Sequence, residues 1–162
     1  MDCLSIEYLF VSPGHNFFGR HGQLAGTNPL LRVSEIECVA GRGVRGDRFF
    51  DYKEDYKGQI TFFSIQVFEE VCQSLGISGK CPGLTRRNVI TSGVDLNLLI
   101  GKTFSVQGLE FEGVCECEPC YWMEQAIGAG AEEAVEDRGG LRARILTSGI
   151  LRVGPQMPDS RF

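Results

Sequence analysis

The amino-acid sequence predicts one mainly β domain with a few helices, its strands closed into a β-barrel. Three observations carry this expectation. Short segments that alternate apolar and polar side chains recur along the chain, with Val, Ile and aromatic enrichment. The dipeptides Gln107-Gly108 and Ser148-Gly149 separate neighbouring segments by the two residues of a tight hairpin. Only two or three stretches carry a helical period, and a barrel is the arrangement that leaves no strand edge exposed. The 162 residues, 43% of them hydrophobic, suit a single domain spanning 1–162. Its core is expected over about 2–154, with 155–162 as a C-terminal tail.

Leu4 to Val11 and Leu31 to Ala40 read as strands. Between them runs a long loop, Ser12 to Pro29, rich in Gly and Asn and carrying both histidines, His15 and His21. Gly41 to Arg48 has the glycine spacing of a dinucleotide-binding turn. Such a turn must open a helix, however, and here the chain continues Phe49-Phe50-Asp51-Tyr52, which is aromatic and turn-like. Gln59 to Phe63 reads as a strand. Ser64 is placed to cap a helix from Ile65 to about Leu75, with Val67, Phe68, Val71 and Leu75 on one face and Gly76 ending it. Strands are expected over Asn88 to Thr91, Thr103 to Val106, Leu109 to Val114, Arg142 to Thr147 and Ile150 to Val153. A second helix is expected after Pro119, and a short third one over Ala131 to Asp137 before Gly139-Gly140.

The net charge of −5 argues against a nucleic-acid binder, which needs a broad basic surface. No apolar run reaches the length of a membrane span, and Met1-Asp2-Cys3-Leu4 does not open a signal peptide, so a cytoplasmic location is expected. Seven cysteines cannot all pair internally, and free thiols are expected. Cys3, Cys38 and Cys72 lie within apolar patterns as buried small hydrophobes. Arginine outnumbers lysine twelve to four, and its planar fork can grip phosphate or carboxylate at two points.

The densest chemical signal is Cys115-Glu116-Cys117-Glu118-Pro119-Cys120-Tyr121-Trp122-Met123-Glu124. Cys115 and Cys117 face one side of a strand and suit packed thiols. Cys120 differs, because it follows a proline that ends the strand and precedes a helix whose N-terminus would favour a thiolate. Such a thiolate could be a nucleophile, a persulfide carrier or a ligand to a soft metal. A zinc site is a further reading, with Cys81 or a histidine completing three nearby thiolates. Arg48, Arg86, Arg87, Asn88, Arg142 and Arg144 are the candidate binding residues. Arg86 and Asn88 would share one face of a strand, and Arg142 and Arg144 one face of another. Surface pairing with Asp or Glu is the competing role for each arginine. Asp47 suits bracing the turn or orienting Arg48, and Asp95 suits a cap.

Gly46-Asp47-Arg48, Arg87-Asn88-Val89-Ile90-Thr91 with Gly93-Val94-Asp95-Leu96, Leu99-Ile100-Gly101, the Cys-Glu-Pro-Cys run with Met123-Glu124, and Gly140-Leu141-Arg142-Ala143-Arg144 through Gly149 and Val153-Gly154 appear in an order that resembles stand-alone MOSC proteins. MOSC domains are named after the C-terminal region of molybdenum cofactor sulfurases. The resemblance spans roughly Asp2 to Gly154. It implies a MOSC-type closed β-barrel that binds molybdenum cofactor (molybdopterin), with Cys120 as sulfur carrier or as protein ligand to molybdenum. Cys115 and Cys117 are extra relative to the pattern. Arg forks, an amide and close backbone approach would hold the pterin and its phosphate, and Tyr52, Tyr56, Tyr121 or Trp122 could stack on a ring. The chemistry implied is reduction of N-hydroxylated or related nitrogen compounds, or sulfur transfer from a Cys120 persulfide. Either would need a separate electron donor or a sulfur donor or acceptor protein, since no flavin, haem or iron–sulfur motif is present. Pyridoxal phosphate belongs to the wider family through the sulfurases, but none of the four lysines suits a Schiff base.

Overall fold

The computed structural model describes residues 4–14, 29–119 and 121–155. Cys3, His15, His21 and Cys120, with most of the long loop and the tail, lie outside these described residues. The strands are β1 Ser5–Val11, β2 Leu31–Val33, β3 Glu35–Val39, β4 Gly43–Val44, β5 Ile60–Ser64, β6 Val89–Ser92, β7 Thr103–Val106, β8 Leu109–Glu116, β9 Leu141–Ile145, β10 Gly149–Arg152 and β11 Gly154–Pro155. The helices are α1 Ile65–Ser74, α2 Tyr121–Ala126 and α3 Ala131–Ala134, and Pro82–Thr85 and Leu96–Leu99 form 3-10 turns.

The architecture is mainly β. Eight strands form one sheet in the order β11-β1-β6-β5-β9-β8-β7, with β2 also paired to β1, and β10-β3-β4 form a second sheet. Most pairs are antiparallel, but β5 and β6 run parallel, which requires a crossover, and α1 supplies it. Ser64 starts α1 as expected, its hydroxyl accepting from the Val67 N–H at 3.3 Å.

Consecutive residues of the central strands point to opposite faces and fill two cores. Leu9, Phe62 and Val89 pack with Ile36, Cys38, Phe111, Leu141 and Leu151, so both sheets converge on one apolar cluster. Phe10, Phe63 and Ile90 face the other way, onto Phe68, Val71, Met123, Ile127 and Val135 of the helical layer.

Three expectations are corrected. The barrel is not closed by strand pairing among the described residues, because β7 and β11 end the large sheet without meeting. The gap is bridged instead by the small sheet: the Gln107 side chain donates to the Arg152 carbonyl at 2.7 Å and accepts from the Arg152 N–H at 2.8 Å. One amide group thereby does for β10 what a neighbouring strand would do. Leu31 to Ala40 is two strands, not one: β2 pairs with β1, Ser34 breaks the run, and β3 joins the small sheet. Ser148-Gly149 is no hairpin, since β9 pairs with β5 and β8 whereas β10 pairs with β3. Gly149 serves close approach, because a Cβ there would lie 2.5 Å from Leu109 Cδ2. Gln107-Gly108 is the hairpin expected, with φ of 51° and 82°.

Candidate functional site

The site is assembled where the turn after β4, the segment before β6 and the strand β9 meet the end of β8. Gly46, at φ 86°, turns the chain so that Asp47 enters the interior. The Asp47 carboxylate accepts from the Ser12 N–H at 2.9 Å, the Asn88 amide at 3.3 Å and the Phe49 N–H at 3.3 Å. Asp47 therefore braces the turn that carries Arg48. The Arg48 guanidinium lies 3.6 Å from Asp47 and over the Phe49 ring, its side chain only 13% exposed. Burial pushes Arg48 below its ordinary range, and Arg87 adds to this, while Asp47 opposes it.

Arg86 and Asn88 do not share a strand face, contrary to the alternation read from sequence. Arg86 follows the 3-10 turn Pro82–Thr85 with φ 58°, and β6 begins only at Val89. The left-handed backbone at Arg86 resets the direction of the chain. Arg86 donates to the Gly14 carbonyl at 2.9 Å, and burial, then the neighbouring Arg48, lowers its pKa to about 10. Asn88 is an internal clasp. Its amide oxygen accepts from the Thr61 N–H and hydroxyl, both at 3.1 Å, and its amide nitrogen donates to the Phe10 carbonyl and to Asp47. Arg87 is likewise occupied, donating to the carbonyls of Thr85, Cys117 and Gly139 at 2.8 to 3.2 Å.

Arg142 and Arg144 do lie on one face of β9, and they have different surroundings. Arg142 faces the Cys117 sulfur, and also Tyr56 and Cys115. Burial would lower its pKa, but these neighbours raise it above the ordinary value. Arg144, toward the rim, pairs with Asp55 at 3.0 Å and Glu112 at 3.7 Å. Tyr56 joins the two halves of the site: it faces Arg142, Arg48 and Cys117, and its ring packs on Tyr52 and Phe49 at 4.9 and 5.4 Å. Burial outweighs these charges and pushes its hydroxyl up.

From sequence, Cys117 suits a packed thiol or one of three nearby zinc thiolates. It is buried, but its thiol adjoins a guanidinium. The cause is a bulge in β8 that puts Gly113 opposite Ala143 and Cys115 opposite Arg142. The Cys117 N–H donates to the Gly140 carbonyl at 2.8 Å, and Glu116 accepts from the Gly139 N–H at 3.0 Å. A Cβ on Gly139 would lie 2.3 Å from the Cys117 carbonyl oxygen, so glycine lets the two segments run in contact. Of the residues following Cys120, Met123 is fully buried in the helical core, and Glu124 accepts from the N–H groups of Gly130 and Glu132. At six residues, α2 offers little macrodipole, so the arginines dominate the local electrostatics. Asp95 caps the turn Leu96–Leu99. Among the described residues, no three His, Cys, Asp or Glu side chains are grouped to hold a metal, and no helix is long and apolar enough to cross a membrane.

The arrangement presents Arg48, Arg86 and Arg142 in partly desolvated positions, with the Asp47 carboxylate facing Arg48 and Arg86. Such a cluster suits an anion. The chain belongs to the MOSC domain family, whose model matches residues 51–157. Arg48 lies just ahead of that span and is brought to the site by the fold. The structure is similar to that of the YUAD protein from Bacillus subtilis, with a TM-score of 0.73 and 16% identity over 94% of this chain and 93% of that one. It is also similar to a solved hypothetical protein, with a TM-score of 0.65 and 13% identity over 96% of this chain and 67% of the other. Among curated proteins, nothing matches the sequence significantly.

Proposed function

We propose that this MOSC domain binds molybdenum cofactor, with Arg48, Arg86 and Arg142 receiving its anionic groups and Cys120 supplying a thiolate to molybdenum. The observation that supports this reading is the guanidinium cluster itself. Arg48 and Arg86 are held below their ordinary pKa by burial and by neighbouring positive charge, a cost that a bound phosphate would relieve. Arg87 and Asn88, whose polar groups are taken up internally, act by holding the frame. Arg144 belongs to the rim. Tyr56 is placed to line the ligand's path between Arg48 and Arg142.

The cofactor would supply redox chemistry at a metal centre, and N-hydroxylated or related nitrogen compounds are the proposed substrates. Electrons would come from a separate protein. The run of three cysteines within six residues also favours a second reading, in which Cys120 carries a persulfide between partner proteins. Elemental and pterin analysis of protein purified natively from a molybdopterin-producing host separates the two. Molybdenum with pterin in wild type, with molybdenum lost in Cys120→Ala, is the result expected. Cyanide-releasable sulfur on Cys120 with neither molybdenum nor pterin would establish the carrier reading instead.

A further inference from the structure

We propose that Arg144 is a positioning residue for the anion site: paired with Asp55, it fixes the segment that presents the Tyr56 hydroxyl to the bound anion. This role rests on the reading of Arg48, Arg86 and Arg142 as that site. Tyr56 lies on the connection from Asp51 to Gln59, which is anchored at both ends. At the first, Arg42 Nε donates to the Asp51 carboxylate at 2.8 Å; at the second, the Gln59 side chain accepts from the Ile145 N–H at 2.9 Å. Between them Arg144 ties down Asp55, donating to its carbonyl at 3.3 Å and lying 3.0 Å from its carboxylate. Arg144 Nε makes no hydrogen bond, so the carboxylate contact is an ion pair sustained by charge. Arg144 is itself planted by Glu112, its partner across β8 and β9, at 3.7 Å.

Fixing Asp55 fixes the residue that follows it. Asp55 holds a left-handed backbone, φ 53°, which turns the chain immediately before Tyr56. The Tyr56 ring then folds over Gly58, where a Cβ would lie 3.1 Å from its Cε1 and 3.3 Å from its hydroxyl oxygen. Tyr52 and Phe49 also pack on the ring, at 4.9 and 5.4 Å. The hydroxyl faces Arg48 and Arg142, two of the three guanidinium groups that would hold the anion. Arg142 and Arg144 share a face of β9, so the group that sets the hydroxyl and one that it faces stand two residues apart on one strand. A phenol donor strengthens anion binding only within hydrogen-bond reach and in line with its acceptor. The Asp55 side chain is 79% exposed, so the pair stabilises the fold little, and its effect falls on where Tyr56 stands.

The test uses full-length protein made without molybdopterin, with pyrophosphate as the probe, titrated calorimetrically at constant ionic strength. Charge alone gives opposite signs: losing the Arg144 guanidinium would weaken an anion, and losing the Asp55 carboxylate would strengthen it. Positioning gives one sign. We expect Asp55→Asn and Arg144→Gln each to weaken pyrophosphate roughly tenfold, and Tyr56→Phe by a similar factor. Neither should weaken it further in the Tyr56→Phe background, because all act through one hydroxyl. Asn tolerates the left-handed backbone at position 55, and each melting temperature should fall by no more than about 4 °C. In the protein without pyrophosphate, the Tyr56 ring-carbon resonance, assigned by its loss in Tyr56→Phe, should move in both ion-pair variants. Asp55→Asn binding as tightly as wild type or tighter, losses that multiply with Tyr56→Phe, or an unmoved Tyr56 resonance would each overturn the proposal. Wild type that binds no pyrophosphate would refute the anion site itself, and so the part of Arg144 in it, even where the resonance moves.

Discussion

At the scale of single residues, the arginines divide by what their donors reach. Arg87 satisfies three buried carbonyls from three segments, a geometry that a flexible ammonium cannot reproduce. Arg87→Lys should therefore lower stability by about 2–4 kcal/mol, whereas Arg144→Ala, which breaks rim ion pairs, should cost less than about 1 kcal/mol. Urea unfolding of the two variants measures the difference, and equal losses would refute the division. Cys38 gives a pH signature. Burial, reinforced by Glu37, pushes its thiol from 9.0 to about 12. The folded state therefore favours the neutral thiol. This contribution is complete below pH 9 and is lost as the pH rises toward 12, amounting to roughly 4 kcal/mol at most. Cys38→Ala should show a shallower alkaline decline in stability than wild type; parallel curves would contradict the assignment.

At the scale of elements, the structure depends on a few places where backbone meets backbone. A Cβ on Gly113 would lie 2.1 Å from the Leu99 carbonyl oxygen, and Gly113 also bonds Lys102 and Gly101 through its own backbone. Gly113→Ala should cost about 3 kcal/mol or more, read as a lowered midpoint in denaturant unfolding. Glu124 ties α2 to the start of α3, and Glu124→Ala should cost about 1–2 kcal/mol in the same assay. These elements also show where the sequence was legible. The cap at Ser64, the Gln107-Gly108 hairpin and the strands β1, β5, β6, β7, β8 and β9 follow from local chemistry, and all are present. The break at Ser34 and the departure of β10 from β9 do not, because strand partners depend on contacts far apart in the chain. The same distance hid Cys117: its neighbour Arg142 is set by a bulge, and alternation within β8 carries no trace of a partner's register. Arg86 was misplaced for a local reason, since a non-glycine residue at positive φ carries little sequence signal.

At the scale of the whole molecule, the two cores hold a sheet whose central strands are buried on both faces, and the arginine cluster sits where its connections converge. A cluster of this kind trades stability for binding: Arg48 and Arg86 repel each other and are partly dehydrated, which weakens the empty fold. An anion that binds only the folded state should restore the loss by mass action, by about 2.7 kcal/mol at a hundredfold excess over its Kd. Thermal unfolding with and without pyrophosphate, in wild type and in Arg48→Gln/Arg86→Gln, tests this directly. The account predicts that wild type gains stability with pyrophosphate at constant ionic strength, while the double variant is at least as stable without it and gains nothing. A double variant that gains as much as wild type would contradict the claim that these guanidinium groups form the anion site.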